Sequence, residues 1–258
     1  MKVADAFKNR KAFISFITCG DPDLETTEEL LLTMEQGGVD LIELGIPFSD
    51  PTAEGPVIQG ASLRALSNGV TTDKVFDMVR RVRPKLNIPL VFMTYANVVF
   101  SYGIERFVST CAEVGMNGII LPDVPFEERE EFSAVCDRFN IDFIPLIAPT
   151  SDDRISMIAK NAKGFVYCVS SLGVTGTRDS ITTDIGEMVN TVRENTDVPA
   201  AVGFGISTPQ QAADIAKVSD GIIIGSAIVR LIAKYGRSCA KYVYDYVVSI
   251  RSALDELK

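Results

Sequence analysis

Glu43 and Glu54 bracket the stretch with the most chemical potential, Leu41-Ile-Glu-Leu-Gly-Ile-Pro-Phe-Ser-Asp-Pro-Thr-Ala-Glu-Gly-Pro56. It begins as a strand, with Val39, Leu41 and Glu43 on one face and Ile42 and Leu44 on the other. Gly45 and Pro47 end the strand, and a loop carrying Ser49, Asp50 and Glu54 follows, stiffened by Pro51 and Pro56. Glu43 therefore stands near the carboxyl end of an apolar strand. A carboxylate there loses its hydration unless it is paired, protonated or used. Two carboxylates at one strand mouth can share a proton-transfer reaction, one as shuttle and one as anchor for an N–H or a developing cation. The alternative is a buried glutamate satisfied by backbone donors, with Asp50 and Glu54 merely solvated; the strand alone leaves both readings open.

The rest of the composition narrows the chemistry. The chain of 258 residues has no histidine, which removes Ser-His-Asp and Cys-His triads, His-ligated metals and His general bases together. Acid–base work must fall to Asp, Glu, Tyr, Lys or Cys. No predicted strand places a lysine near its carboxyl end, so a Schiff-base aldolase is disfavoured. Oxygen ligands for a divalent ion exist in Glu43, Asp50, Glu54 and Asp123, but without a metal-site spacing, and no metal is expected. The five cysteines are scattered without a CxxC, as in a protein that keeps its thiols reduced, and a cytoplasmic location is expected. Net charge is −9, and no Lys/Arg run stands clear of acidic neighbours, which argues against nucleic acid and anionic membranes as partners. No apolar run reaches the length of a membrane span, and Ala12 to Ile17 is too short for a signal-peptide core.

These groups need a scaffold, and the pattern of elements supplies one. Short apolar strands are predicted at 12–18, 39–44, 89–94, 118–121, 142–147, 164–169, 199–202 and 221–224. Helices alternate with them at about 24–36, 72–83, 103–114, 127–139, 152–161, 184–194, 209–217 and 237–256. Residues 1–9 can form a short amphipathic helix able to plug a barrel, and further short helices are predicted at 57–66 and after Gly225-Ser226. The strands are rich in Val, Ile and Phe without polar alternation, as strands covered on both sides should be. Crossover rules then favour an α/β architecture, a closed (β/α)8 or TIM barrel, in one domain over 1–258 with extra N-terminal and short loop helices.

In such barrels the site lies at the carboxyl ends of the strands. That rule collects Glu43, Ser49, Asp50, Glu54, Tyr95, Asn97, Asp123, Thr175, Gly176, Gly205 and Ser226 at one mouth. Gly173-Val-Thr-Gly176, Gly203-Phe-Gly205 and Gly225-Ser226 follow the last three strands. Glycine lets N–H groups approach an anion, and a helix start adds its dipole, so phosphate binding is favoured over mere tight turns. Phe16, Ile58, Met93 and Phe204 could wall an aromatic substrate, although apolar residues at barrel mouths are commonly core. Tyr167, on the sixth strand, reads first as a packed core tyrosine with a bonded hydroxyl. The apolar and aromatic run from Tyr95 to Tyr102, read as a loop, hints at a partner surface.

The motif Glu43-Leu-Gly-Ile-Pro-Phe-Ser-Asp-Pro51, with Gly55-Pro56 behind it, resembles the signature of the tryptophan synthase alpha chain family. Gly20-Asp-Pro22, Tyr95-Ala-Asn97, Asp123-Val-Pro125, Gly173-Val-Thr-Gly176, Gly203-Phe-Gly-Ile-Ser207 and Gly225-Ser-Ala-Ile-Val229 match it in order and spacing, over nearly the whole chain. The resemblance implies retro-aldol cleavage of indole-3-glycerol phosphate to indole and glyceraldehyde 3-phosphate in tryptophan biosynthesis, without Schiff base or metal. It implies Glu43 as acid–base catalyst, Glu54 as the carboxylate facing the indole N–H, and Tyr167 as an aid near Glu43. It implies Gly176, Gly205 and Ser226 as phosphate ligands and Phe16, Ile58 and Met93 as the indole pocket, with Thr175 and Phe204 beside them. The implied partner is a beta chain in an α2β2 assembly that receives the indole and carries the pyridoxal phosphate; no cofactor is implied for this chain.

One departure stands out. The family usually has Asp where this chain has Glu54, and the extra methylene changes the reach by about 1.5 Å, a displacement of the size that can cost a catalytic site heavily. A non-catalytic regulatory subunit of the same complex is the alternative this departure keeps open. Other phosphate-binding barrels, such as sugar-phosphate epimerases, would want a metal set or a longer apolar groove.

Overall fold

The computed structural model describes residues 1–169, 178–203 and 205–257, with the side chains of 178–184 excepted. In chain order the elements are β1 (Ala12–Thr18), α1 (Leu24–Gln36), β2 (Leu41–Gly45), α2 (Pro56–Ser67), α3 (Thr72–Val82), β3 (Leu90–Met93), α4 (Ala96–Tyr102), α5 (Ile104–Val114) and β4 (Gly118–Ile120). They continue with α6 (Glu130–Arg138), β5 (Asp142–Phe143), β6 (Leu146–Ile147), α7 (Asp152–Ala159), β7 (Val166–Val169), α8 (Arg178–Arg193), β8 (Ala200–Gly203), α9 (Pro209–Val218), β9 (Gly221–Ile224), α10 (Ser226–Tyr235) and α11 (Ala240–Asp255). Short 3-10 turns lie at Val3–Phe7, Arg83–Lys85, Phe126–Glu128 and Gly236–Ser238.

All strand pairs are parallel, in the order β5-β4-β3-β2-β1-β9-β8-β7-β6. The two ends of that order, β5 and β6, are the halves of the single strand expected at 142–147. The chain therefore closes the sheet on itself, and the molecule is the expected barrel. Pro145 separates the halves because it has no N–H to give the ladder; around it the Ile144 N–H still bonds Ile119 on one side, and the Pro145 carbonyl accepts from Tyr167 on the other.

Period two sorts the side chains. Ile14, Leu41, Val91, Ile120, Ile144, Phe165, Ala201 and Ile223 point inward, one from each turn of the barrel wall, and form one buried cluster with Val3 and Ala6 of the N-terminal 3-10 turn. That turn is the expected plug, with Phe7 against Phe165 at 5.7 Å between ring centroids. The alternate residues Phe13, Ile42, Leu44, Phe92 and Ile119 face outward into a second, larger core under the helices. Helix starts follow their caps: Asp23 accepts from the Thr26 N–H at 2.8 Å, and Thr208 and Gln211 form a capping box at α9, with Pro209 in its first turn.

Three elements differ from expectation. The 95–102 run, expected as a loop, is helix α4, with Val99 buried and Phe100 packed edge-on against Phe132 at 5.0 Å. The helix after strand β7 starts at Arg178 rather than near Asp184. The expected helix at 127–139 is a 3-10 turn followed by α6.

Candidate active site

Glu43 takes the inward position next above Leu41 on β2, in register with Phe16 of β1 and Val91 of β3. It is wholly buried, and neither carboxylate oxygen has a hydrogen-bond partner among the described residues. Loss of water pushes its pKa up to about 8, so the acid is largely protonated at neutral pH. A glutamate satisfied by backbone donors, the bland alternative, is not what the barrel holds.

Glu43 opens into a cavity of about 890 Å³ at the carboxyl ends of the strands. Glu54, in the loop between β2 and α2, lines the same cavity. Burial raises its pKa to about 7, and a hydrogen bond from the Tyr95 hydroxyl pulls the other way. Tyr167, on β7, also reaches the cavity; burial and then the charge of Glu43 drive its hydroxyl well above the ordinary range. The ring of Tyr167 lies over Gly203, where an added Cβ would come within 2.5 Å of its hydroxyl.

One wall is apolar. Phe16, Ile58, Ala61 and Val229 form a small buried cluster with Val57 and Met93 packed against it. Gly45 makes room for the Phe16 ring, since a Cβ there would lie 2.6 Å from its Cζ. An apolar wall beside two carboxylates suits an aromatic heterocycle bearing an N–H.

Gly205 and Ser226 lie at the cavity's edge. Gly205 has φ +80, a conformation natural to glycine, and Ser226 is the first residue of α10, whose N-terminus follows Gly225 without a side-chain cap. Free N–H groups, a hydroxyl and the positive end of a ten-residue helix provide for an anion. Arg230, one turn along α10, lines the cavity too and had no expected role. Thr175, Gly176 and Phe204 lie outside the described residues.

Of the other residues gathered at the mouth, Ser49 and Asp50 are exposed and bond each other. Asn97 is exposed on α4, and Asp123 accepts from the Ala96 N–H at 3.1 Å, serving the start of α4. The cavity is also lined by Leu121, Phe126, Arg129 and Arg154, which no local pattern announced. Among the described residues, no group of three or more His, Cys, Asp or Glu is placed to hold a metal ion, and no helix is long and apolar enough to cross a membrane.

Comparison with known proteins agrees with this geometry. The family model described as tryptophan synthase alpha chain matches residues 3–256. The tryptophan synthase alpha chain of Lacticaseibacillus casei is 48% identical over 257 residues, covering 100% of this chain and 97% of that protein. The crystal structure of tryptophan synthase subunit alpha from Legionella pneumophila superposes with a TM-score of 0.90 at 34% identity, over 99% of both chains. A structure of the tryptophan synthase a2b2 complex from Pyrococcus furiosus contains a chain that superposes at TM-score 0.85 and 31% identity, over 94% of this chain and 98% of that one. A barrel with two carboxylates at the mouth of β2, an aromatic slot and an open helix start thus carries a sequence related along its whole length to those proteins, and the chain belongs to the tryptophan synthase alpha chain family of carbon–carbon lyases.

Proposed function

We propose that this chain cleaves indole-3-glycerol phosphate to indole and glyceraldehyde 3-phosphate by general acid–base catalysis between Glu43 and Glu54. The observation that carries the reading is Glu43, an acid with no hydrogen-bond partner among the described residues, buried and protonated at the end of a barrel strand beside an apolar slot. Family membership supports the same reaction.

The steps follow from the charges. With the indole in the slot of Phe16, Ile58 and Met93, the Glu43 acid gives its proton to the ring carbon that bears the glycerol chain. The ring becomes cationic, and the Glu54 carboxylate facing the ring N–H offsets that charge. The bond from the ring carbon to the glycerol carbon then breaks, and its electrons return to the ring. The glycerol hydroxyl on that carbon becomes the aldehyde carbonyl and passes its proton to Glu43, which ends protonated as it began. Tyr167 lines the same cavity, close enough to feel the charge of Glu43. The phosphate fits the N-terminus of α10, with the Ser226 hydroxyl, the Gly205 backbone and Gly176 as its donors. This local field overrides the net charge of −9. Thr175 and Phe204 are proposed to complete the pocket.

The a2b2 complex formed by the related tryptophan synthase of Pyrococcus furiosus supports a beta chain as the partner that takes up the indole. Pyridoxal phosphate would belong to that partner and has no role in the steps above. We place the activity in the cytoplasm and in a single catalytic domain. The test is steady-state cleavage of indole-3-glycerol phosphate, with and without a beta chain. Turnover that rises with the partner supports the reading; no turnover in either case from folded protein would sink it in favour of a regulatory subunit.

A further inference from the structure

Tyr95 is 2% exposed and is the residue that precedes α4. Its hydroxyl accepts from the Ala53 N–H at 3.1 Å, across 42 residues of sequence, and lies beside the Glu54 carboxylate as a donor that lowers its pKa. A phenol can do both at once, as acceptor to an amide and donor to a carboxylate. Its ring is held in turn, stacked on Phe48 of the same loop at 5.2 Å between centroids and 30° between planes. The start of α4 is fixed by the Asp123 carboxylate on the Ala96 N–H. On its other side Glu54 is tied through its carbonyl, which accepts from Gln59 Nε2 at 2.8 Å. Gln59 belongs to α2, a helix anchored to the β1 loop by the bidentate pair of Arg64 with Asp21 at 2.8 Å.

The β2–α2 loop is therefore clamped on both sides of Glu54. A glutamate has one more rotatable bond than an aspartate, so a fixed geometry needs one more restraint. We infer that Tyr95 is a positioning residue for Glu54, its hydroxyl holding the Ala53 N–H and the Glu54 carboxylate together so that the longer acid meets the substrate in one orientation. This rests on Glu54 as the second carboxylate of the proposed reaction. Tyr95 faces Glu54 from the end of β3 and Asp123 from the β4–α6 connection; Glu43 stands apart on β2.

Tyr95→Phe removes the hydroxyl and keeps the stack on Phe48. It is expected to lower kcat about tenfold, the effect of losing one hydrogen bond to a charged group, with KM changed less than about twofold. In a Glu54→Gln background the same substitution should do almost nothing further, because the group it serves is gone. An unchanged kcat, or an equal fall in both backgrounds, would overturn the assignment. A second readout needs no substrate: carboxyl carbon-13 NMR titration of the whole chain. Tyr95→Phe should move the Glu54 midpoint upward, since a donor to the charged form is lost, and leave the Glu43 midpoint in place. A Glu54 midpoint that does not move overturns the assignment whether or not the chain turns over. A moved midpoint in a chain that cleaves nothing upholds the coupling and sinks the proposed reaction instead.

Discussion

Asp40 and Glu43 lie three residues apart in one strand approach, and the barrel treats them in opposite ways. Asp40 is at the amino end, where its Oδ1 accepts from Arg10 Nε and Nη2 at 2.9 and 2.7 Å, and its Oδ2 accepts from the Phe13 N–H at 2.8 Å and Arg251 Nη1 at 3.1 Å. Burial still leaves its pKa above the ordinary value, with those bonds opposing the rise. Glu43 is at the carboxyl end with no hydrogen-bond partner among the described residues, and its pKa rises to about 8. One end uses its polar groups to close the structure, with Asp40 joining β1, β2 and α11. The other leaves an acid free to give a proton. The paired acid and the unpaired acid thus lie at opposite ends of the barrel axis, as expected of a fold that keeps stability and chemistry apart.

The sharpest way to break that separation is to replace each acid by its amide. Glu43→Gln should lower kcat by about 10³-fold, within the range for a lost general acid–base, with phosphate-ligand binding retained; unchanged turnover would remove Glu43 from the mechanism. Asp40→Asn should do the reverse. Losing one partner of a buried pair costs on the order of 3 kcal/mol, read as a lowered denaturation midpoint, while the kcat of the folded fraction stays near that of the parent. A large kcat loss there would show that the two ends are not independent.

The pH dependence sharpens the contrast further. Glu43 must be protonated and Glu54 ionised in the free enzyme, with pKa values of about 8 and about 7. The profile of kcat/KM is expected to be a narrow bell, rising through about 7 and falling through about 8, and Glu54→Gln should flatten the acid limb. Stability carries the same signature. The folded pKa of Glu43 lies above the unfolded value of 4.5, so its contribution is complete below that value and is lost as pH rises towards about 8. Over that window the wild type should lose up to about 1.4 kcal/mol per pH unit relative to Glu43→Gln. Parallel stability curves for the two proteins would mean that Glu43 is not desolvated in solution.

What could be read in the sequence was local and periodic. Glu43 announced itself because a carboxylate interrupts an apolar strand at an inward position, and Ser226 because Gly225 precedes a helix start. The alternation of elements was enough for the barrel and for its N-terminal plug. What escaped depends on contacts distant in sequence. Tyr95-Ala-Asn97 reads as a loop, since Tyr95 makes no side-chain cap of its own; the restraint at that helix start comes from Asp123, 27 residues beyond Ala96. For the same reason Asp123 looked like mouth chemistry. The Tyr95 contact to Ala53 spans two strand connections, and no window of sequence contains it. Arg230 could have been found, because it lies on the same helix as Ser226 and one turn along, where a cation faces the same ligand space.

Ser226→Ala tests the binding half of the site and should act on KM more than on kcat. Loss of one hydroxyl donor to a charged phosphate is expected to raise KM about tenfold, and inorganic phosphate should compete less well by a similar factor. A fall in kcat at constant KM would place Ser226 in the chemistry instead.

The smallest effect expected is at Gly203, whose missing side chain leaves room for the Tyr167 ring. A Cβ there would meet the Tyr167 hydroxyl at 2.5 Å and its Cε1 at 2.7 Å. The backbone of Gly203 is ordinary strand, so alanine brings no conformational strain, and the ring can tilt toward the cavity to relieve the contact. Stability should fall by about 1–3 kcal/mol, the cost of overpacking. Tyr167 would then crowd the space in front of Glu43, and kcat should fall about threefold to tenfold. Adding Tyr167→Leu to Gly203→Ala removes the hydroxyl and the ring carbons within 2.8 Å and should recover part of the lost stability. If the double variant is no better than Gly203→Ala alone, the ring is not what the glycine accommodates, and Tyr167 belongs with the packed core rather than with Glu43.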